Sequence, residues 1–210
     1  VQDLEIGVDQ GAVIEAPAVD FPSREKPVVM YGTSILQGGC ANRAGMASSN
    51  ILSRRLGREV INLGFSGNAR LDYEIAEIMA AVPDPGVYVM DNVPNSSPER
   101  IHERTETFFR MLRDAHPNVP VIFVEDPLFP HMRFDADMYK EITGKNQALR
   151  EEYEKLRKAG HRNIYYISSE KMIGNDGEAT VDGVHFTDLG MVRYVELVEP
   201  VIRKALKKNR

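Results

Sequence analysis

Five short apolar runs, each followed by a glycine-rich or polar turn, constrain the fold of this chain more than any other feature. They occupy residues 28–31, 60–63, 87–90, 121–124 and 163–167. Stretches of helical periodicity alternate with them, at about residues 45–57, 71–81, 97–116, 136–158 and 188–208, and Thr143 and Gly144 predict an interruption of the fourth stretch. This alternation is typical of an α/β protein. We therefore predict a three-layer sandwich around a five-stranded, mostly parallel sheet.

Size and composition fit one globular domain and exclude several classes of protein. The 210 residues are 42% hydrophobic and 27% charged, so the chain can bury a core. A net charge of -5 argues against nucleic-acid binding, which needs a basic surface. No apolar stretch approaches the ~20 residues of a membrane span. No signal peptide is visible, and because the chain begins at Val1, secreted or periplasmic and cytoplasmic locations all stay open, as does the oligomeric state.

The ends of the chain and its one cysteine have simple interpretations. Residues 1–26 are rich in Asp, Glu, Ala and Pro without a sustained period, which predicts a linker or the remnant of an upstream domain. Residues 27–210 are then the folded domain, and the basic run at residues 203–210 supplies cations to the end of the last helix. Cys40 allows no internal disulfide and is expected to be a small buried filler, with a nucleophile as the alternative.

The first apolar run presents a hydroxyl group at its carboxyl end. It ends at Gly32, Ser34 follows two residues later, and Gly38 and Gly39 come next. Sites in open parallel sheets form at the edge where the strands end. Right-handed crossovers would bring the turns after strands one, two and three to that edge, and with them Ser34, Gly67 and Asn95.

A serine hydroxyl needs a base and a group that orients the base before it becomes a useful nucleophile. Asp182-Gly-Val-His185 supplies both within four residues, if the segment forms a turn. Of the five histidines, only His185 has a carboxylate at a matching offset in a glycine-containing loop. The alternative is that Asp182 merely caps a helix or turn.

Acyl transfer also needs hydrogen-bond donors that face the developing oxyanion. Candidates are the N–H groups of Ser34 and Gly67 and the amide of Asn92 or Asn95, both of which follow the third strand. Taken singly, each turn is better explained as a plain loop between a strand and a helix. The order along the chain, from serine to glycine to asparagine to Asp-x-x-His, favours a site.

Four blocks in this order carry a resemblance to a known family: Gly32-Thr-Ser34-Ile, Asn62-Leu-Gly-Phe-Ser-Gly67, Asn95 and Asp182-Gly-Val-His185. From about residue 28 to its end, the chain resembles the SGNH (GDSL-type) hydrolases. The resemblance implies a flavodoxin-like three-layer fold and serine ester hydrolysis without a metal or other cofactor. It implies that Ser34 is the nucleophile, that His185 is the base and that Asp182 orients it. Ser34, Gly67 and Asn95 would form the oxyanion hole, with Asn92 as the runner-up.

Two blocks depart from the usual pattern of that family. Thr33 stands where the family has an aspartate, and Asp91-Asn-Val-Pro-Asn95 replaces Gly-x-Asn-Asp. Pro-Asn95 resembles a bacterial subgroup whose members often carry a β-sandwich domain ahead of the hydrolase. On that interpretation, residues 1–26 are the end of such a domain.

Three functions are compatible with these residues. The first is an esterase for small acyl, above all acetyl, esters of carbohydrates. Its candidate substrate contacts are Asn42, Arg43, Arg70 and His131, for which ordinary solvated loop polarity is the simpler explanation. The second is a glycosidase that uses two carboxylates from among Asp91, Glu125 and Asp126, although a loop-supporting or substrate-binding role for Glu125 or Asp126 is simpler. The third is a non-catalytic carbohydrate-binding or interaction module, which the change at Thr33 suggests but the intact Ser34, Asp182 and His185 argue against.

Overall fold

The computed structural model describes residues 5–15, 18 and 25–208 of the chain. Its five strands form one sheet in the order β2-β1-β3-β4-β5, and each neighbouring pair is parallel. The strands are β1 Val28–Gly32, β2 Val60–Gly64, β3 Val87–Asp91, β4 Val121–Val124 and β5 Ile164–Ile167. The predicted α/β fold is confirmed, with every strand close to its predicted position.

Six α-helices connect and cover the strands. They are α1 Ser34–Gln37, α2 Ser48–Leu56, α3 Tyr73–Ala80, α4 Pro98–Ala115, α5 Ala136–Lys158 and α6 Asp188–Lys208. Short 3-10 turns occupy Ala44–Met46, Val93–Asn95 and Pro130–Phe134. The predicted interruption at Thr143 and Gly144 is wrong. The Thr143 hydroxyl donates to the Tyr139 carbonyl at 2.6 Å, one turn back, so this polar side chain is satisfied without breaking α5.

Side chains from the two faces of the sheet fill two separate cores. One face packs mainly against α2 and α6, and alternate residues such as Val28, Met30 and Ile122 point into it. The other face packs against α3, α4 and α5. Both cores contain fully buried side chains, which explains why the inner strands are continuous apolar runs without polar alternation. This three-layer arrangement leaves the carboxyl ends of the strands open along one edge.

The two ends of the chain differ in their relation to these cores. Residues 5–15 are exposed throughout, and among them Val13 is 79% exposed. The predicted linker at residues 1–26 lies partly outside the described residues and stays a prediction. At the other end, Arg203, Lys204, Lys207 and Lys208 belong to the last two turns of α6, while residues 209 and 210 lie outside the described residues.

No helix in the described part of the chain has both the length and the apolarity that crossing a bilayer requires.

Candidate active site

The turn between β1 and α1 brings Ser34 to the open edge of the sheet. A Cβ atom on Gly32 would lie 2.8 Å from the Asp91 carbonyl oxygen and 2.8 Å from the Leu36 side chain, so only glycine allows this close packing. Ser34 is then the first residue of α1 and is half-buried. Because it is the first residue, its N–H group has no acceptor within the helix and can serve another partner.

Thr33 caps the helix that Ser34 begins. Its hydroxyl oxygen accepts a hydrogen bond from the Ile35 N–H at 3.3 Å, and the residue is 1% exposed. Threonine and aspartate both belong to the preferred N-cap residues. The departure from the usual Gly-Asp-Ser sequence therefore keeps a capping oxygen in place, while it removes a negative charge beside Ser34.

Asn62 fixes the other end of α1 against β2. Its Oδ1 accepts from the Gly64 N–H at 2.9 Å, and its Nδ2 donates to the Leu36 carbonyl at 2.9 Å and to the Ser49 hydroxyl at 2.8 Å. Three hydrogen bonds of one side chain thus join three segments. The sequence placed Asn62 in a motif but did not reveal that it joins these segments. The available signal was a polar residue inside an apolar strand.

A narrow turn holds Asp182 and His185 together. Thr180 and Phe186 form an antiparallel bridge, and the Val181 N–H donates to the His185 carbonyl at 2.8 Å. Inside this turn, Asp182 Oδ1 accepts from the N–H groups of Val184 at 2.9 Å and His185 at 2.7 Å. The short spacing in sequence therefore becomes a short distance in space, as the turn hypothesis requires.

Two hydrogen bonds connect Ser34, His185 and Asp182. His185 Nδ1 lies 2.7 Å from Asp182 Oδ2, and His185 Nε2 lies 2.8 Å from Ser34 Oγ. The hydrogen bond from the His185 side chain, with those from two backbone N–H groups, holds the pKa of Asp182 well below its usual range. An ionised carboxylate only accepts hydrogen bonds, so Nδ1 carries the proton and Nε2 accepts one from the serine hydroxyl. This is the tautomer that a general base requires.

Of the two candidate asparagines, Asn95 lies closer to the open cavity beside Ser34, which it lines. Asn95 ends the 3-10 turn after β3, lines the same cavity as Ser34, and donates from Nδ2 to the Asn68 carbonyl at 2.7 Å. That bond places its amide beside the loop that carries Gly67. Asn92 is 2% exposed, and its Nδ2 has no hydrogen-bond partner among the described residues. The geometry therefore favours Asn95, although its role stays a prediction.

The loop that carries Gly67 has an unusual backbone. Gly67, Ala69 and Leu71 have φ angles of 69°, 66° and 59°, in the left-handed region that side chains disfavour. Ala69 and Leu71 are each 1% exposed, and the Tyr31 hydroxyl oxygen lies 3.1 Å from the Leu71 nitrogen, as an acceptor of its N–H. Burial and this bond hold the strained conformation, as is common at functional sites. Sequence patterns gave no signal for it.

A cavity of about 190 Å³ opens beside Ser34. Its walls combine apolar side chains, among them Ile35, Phe129 and Ile142, with the polar groups of Asp126 and Lys145. It is smaller than the roughly 300–1,000 Å³ of common small-molecule pockets. A larger groove of about 480 Å³ lies on the outer face of α5, but it is lined by solvent-facing side chains and touches none of the three hydrogen-bonded residues. We therefore take the smaller cavity as the candidate binding site.

Two of the four predicted substrate contacts lie near this cavity. Arg70 and Asn95 line an adjoining groove of about 400 Å³. His131 is exposed, stacks on Phe129 and lies so close to Gly183 that a Cβ there would be 3.2 Å from its ring. Asn42 and Arg43 are exposed and do not line either space. All four contacts stay predictions.

Cys40 lies beside the catalytic candidates. Its thiol, one Asp182 oxygen and one His185 nitrogen are all within 4.8 Å of one another, which makes them the set of described residues with potential metal-ligand spacing. A metal ion there would compete with the hydrogen bonds that His185 already makes. The residue is partly exposed, so the expectation of a buried filler is wrong. Cys40 lies in the turn after α1, directly behind Gly38 and Gly39.

Two of the three carboxylates considered for a glycosidase are engaged by protein donors. Glu125 accepts from Arg150, from the Tyr166 hydroxyl, and from the N–H and hydroxyl of Ser169. Asp91 is 4% exposed and accepts from the Tyr194 hydroxyl at 2.8 Å, and burial raises its pKa to about 8. Among these three, Asp126 alone lines the cavity. The expected pair of carboxylates across a sugar is therefore not assembled.

Comparison with known proteins identifies the family of this fold. A model described as the GDSL-like lipase/acylhydrolase family matches residues 25–203. No curated protein matches the sequence at a significant level.

Solved structures share the fold. One described as a GDSL-like lipase from Bacteroides ovatus is 39% identical with a TM-score of 0.84, over 89% of this chain and 55% of that one. The chain thus spans about half the length of that protein. A family two carbohydrate esterase from Clostridium thermocellum, solved with cellohexaose, is 16% identical with a TM-score of 0.67, over 95% and 69% of the two chains. A carbohydrate acetylesterase family member from Sinorhizobium meliloti is 15% identical with a TM-score of 0.60, over 87% and 99%.

Proposed function

Because this chain belongs to the GDSL-like lipase/acylhydrolase family, which places it among the carboxylic ester hydrolases, we propose that it hydrolyses small acyl esters, acetyl esters of carbohydrates foremost. One observation carries the proposal. Ser34 Oγ, His185 and Asp182 are joined by hydrogen bonds of 2.8 and 2.7 Å in the order that nucleophilic catalysis needs.

In the first half of the reaction, Ser34 Oγ attacks the ester carbonyl carbon as its proton moves to His185 Nε2. The Oγ–C bond forms, and the carbonyl electrons move to the oxygen, which becomes an oxyanion. The N–H groups of Ser34 and Gly67 and the Asn95 amide stabilise that charge. The bond to the alcohol oxygen then breaks, His185 returns the proton to that oxygen, and an acyl-serine remains.

In the second half, water replaces the alcohol. His185 Nε2 takes one proton from the water as its oxygen attacks the acyl carbon. The same donors stabilise the second oxyanion. When the bond to Ser34 Oγ breaks, the serine recovers its proton from His185 and the carboxylic acid leaves. Asp182 stays ionised throughout and stabilises the imidazolium that forms in each half.

Cavity size and comparison support the choice of ester. A cavity of about 190 Å³ suits a short acyl chain or a single sugar-sized group better than a fatty chain. The Clostridium structure is described as a carbohydrate esterase and the Sinorhizobium structure as a carbohydrate acetylesterase family member. Their low identity shows the fold alone, so the carbohydrate part of the proposal depends on analogy.

Turnover of p-nitrophenyl acetate, butyrate and octanoate tests the proposal, followed by acetate release from acetylated oligosaccharides. We expect the highest kcat/KM for acetate and loss of activity in Ser34→Ala. Ser53→Ala is the matched control, because the Ser53 hydroxyl donates to the Arg58 carbonyl before β2, at the opposite end of the strands. No turnover of acetate, or a Ser34→Ala variant equal to the parent, would reject the proposal. Activity lost in Glu125→Gln and kept in Ser34→Ala would favour the glycosidase.

We also propose that residues 27–210 are the hydrolase domain. Residues 5–15 are exposed and contribute to neither core. Deletion of residues 1–24 should therefore leave p-nitrophenyl acetate turnover unchanged. A loss of turnover or of the cooperative unfolding transition would contradict this boundary.

A further inference from the structure

Asp126 is a buried carboxyl group that the protein itself does not satisfy. It follows β4 directly, is 2% exposed and lines the cavity that contains Ser34. Asn146 pairs with its backbone, accepting from the Asp126 N–H at 2.8 Å and donating to the Asp126 carbonyl at 2.9 Å. Among the described residues, the closest charged partner of the carboxylate is Lys145, with Nζ 4.0 Å from Oδ2, beyond hydrogen-bond distance.

The side-chain oxygens of a residue buried to this extent usually have hydrogen-bond partners within the protein. Its neighbour Glu125 shows the ordinary case, with bonds from Arg150, Tyr166 and Ser169. A buried carboxylate without such bonds is costly to desolvate. A ligand group that donates a hydrogen bond from within the cavity would remove that cost.

Lys145 places a donor next to this acceptor. Its side chain is 9% exposed, and Nζ contacts the Pro94 carbonyl at 3.1 Å and Glu141 Oε1 at 2.5 Å. An ammonium group has three protons, so one more is available for a ligand. Lys145 and Asp126 line the same cavity. An oxygen about 2.8 Å from both atoms fits across the 4.0 Å gap between Nζ and Oδ2, and a hydroxyl there can donate to Asp126 and accept from Lys145.

The charges around the gap select against anions. The cavity wall carries one cation, Lys145, and two carboxyl groups, Asp126 and Glu141. Burial, followed by the charge of Glu141, raises the pKa of Asp126, to about 7 after the opposing effect of Lys145. The local charge is then zero or negative. A carboxylate, sulfate or phosphate would be repelled, whereas a neutral hydroxyl would not.

From this geometry we infer that Asp126 and Lys145 form a hydroxyl-binding subsite, which selects esters that carry a neutral hydroxyl group near the scissile bond. The inference rests on the proposed function, since Ser34 lines the same cavity. The hydroxyl can belong to the alcohol, as in a sugar, or to the acyl group, as in a hydroxy acid. Both present the same chemistry to the pair.

Two pairs of isosteric esters separate these sources. The alcohol pair is 2-hydroxyethyl acetate and propyl acetate, and the acyl pair is methyl glycolate and methyl propionate. We expect kcat/KM to favour the hydroxyl compound by about tenfold or more in one pair, since the hydroxyl meets two buried, charge-bearing side chains. The pair that shows the preference identifies the source. Equal kcat/KM within both pairs would overturn the inference.

Variants assign the preference to these residues. Asp126→Leu should bring the ratio within the preferred pair close to one, and Asp114→Leu, at an exposed position on α4, should keep the parent ratio. Lys145→Met is a second, independent variant with the same expectation if Asp126→Leu does not fold. A preference that survives in each variant that folds would overturn the inference.

Binding tests the subsite separately from catalysis. The same ester pairs are titrated by NMR against Ser34→Ala, which keeps the cavity but lacks the nucleophile. Tighter binding of one hydroxyl compound than of its isostere supports the subsite even if the parent hydrolyses no ester. Equal binding within both pairs rejects it, whether or not the parent is an esterase.

Discussion

Ser34 Oγ and His185 Nε2 lie 2.8 Å apart, although 151 positions separate the two residues in the chain. The contact joins the turn after β1 to the turn before α6, so strands β2 to β5 lie between them in sequence. Since each side chain is fixed by its own local structure, the distance depends on the fold as a whole. The reactivity of Ser34 should therefore be lost whenever the sheet unfolds.

Removing the charge of Asp182 should impair catalysis without unfolding the turn. In Asp182→Asn, the new amide oxygen can still accept from the Val184 and His185 N–H groups, which Asp182 Oδ1 accepts now. The imidazole, however, loses the carboxylate that selects its tautomer and stabilises its charged form. We expect kcat for p-nitrophenyl acetate to fall by about 10³–10⁴-fold. A fall of less than tenfold with an unchanged melting temperature would show that Asp182 is only a turn residue.

Stability and catalysis should depend on the hydroxyl of Thr33 more than on its methyl group. Thr33→Val removes the oxygen that accepts from Ile35, and we expect a loss of about 1 kcal/mol in the free energy of unfolding together with a lower kcat. Thr33→Ser keeps the oxygen and should match the parent more closely. Urea denaturation and steady-state kinetics of both variants make the comparison. If valine is tolerated as well as serine, the cap does not position Ser34.

Burial of Asp91 should make the protein less stable as pH rises. Its pKa is about 8 in the folded protein, mainly because burial disfavours the charged form, against about 3.9 in an unfolded chain. The stability that the buried neutral form contributes is complete below about pH 4 and is lost as pH approaches 8. Asp91→Asn is neutral at every pH and removes this loss.

Urea denaturation at pH 5 and pH 8 tests whether the stability of the protein falls as pH rises. The free energy of unfolding of Asp91→Asn, relative to the parent, should be higher at pH 8 than at pH 5 by more than about 1.4 kcal/mol, the equivalent of one pKa unit. Tyr194→Phe removes the hydroxyl that favours the charged form of Asp91, so the decline in stability should extend to higher pH than in the parent. Parallel pH profiles for parent and Asp91→Asn would contradict the expectation.

Sequence-based predictions were most successful for features that leave a regular apolar pattern or depend on particular residues in a turn. Apolar runs predicted the strands, and the rule that parallel strands end at one edge predicted that Ser34, Gly67 and Asn95 would meet there. The structure brings Ser34 and Asn95 to one cavity and the Asn95 amide to the Gly67 loop.

What sequence reasoning missed depends on packing between distant segments. The left-handed backbone at Ala69 and Leu71 is held by burial, which no local pattern records. Lys145 has the sequence context of an exposed helix position, yet α5 turns it toward Pro94 and Asp126. Cys40 has no neighbour in sequence that predicts its position beside His185.

Covalent labelling of Ser34 tests the central claim most directly. A fluorophosphonate reacts with an activated serine, so that an Oγ–P bond forms and fluoride leaves, and an ordinary serine is inert. Mass spectrometry of the digested protein should find one adduct, on the peptide that contains Ser34. Ser53→Ala should label like the parent, and Ser34→Ala should not label. Absence of an adduct in the parent, or an adduct that persists in Ser34→Ala, would contradict the assignment of Ser34 as the nucleophile.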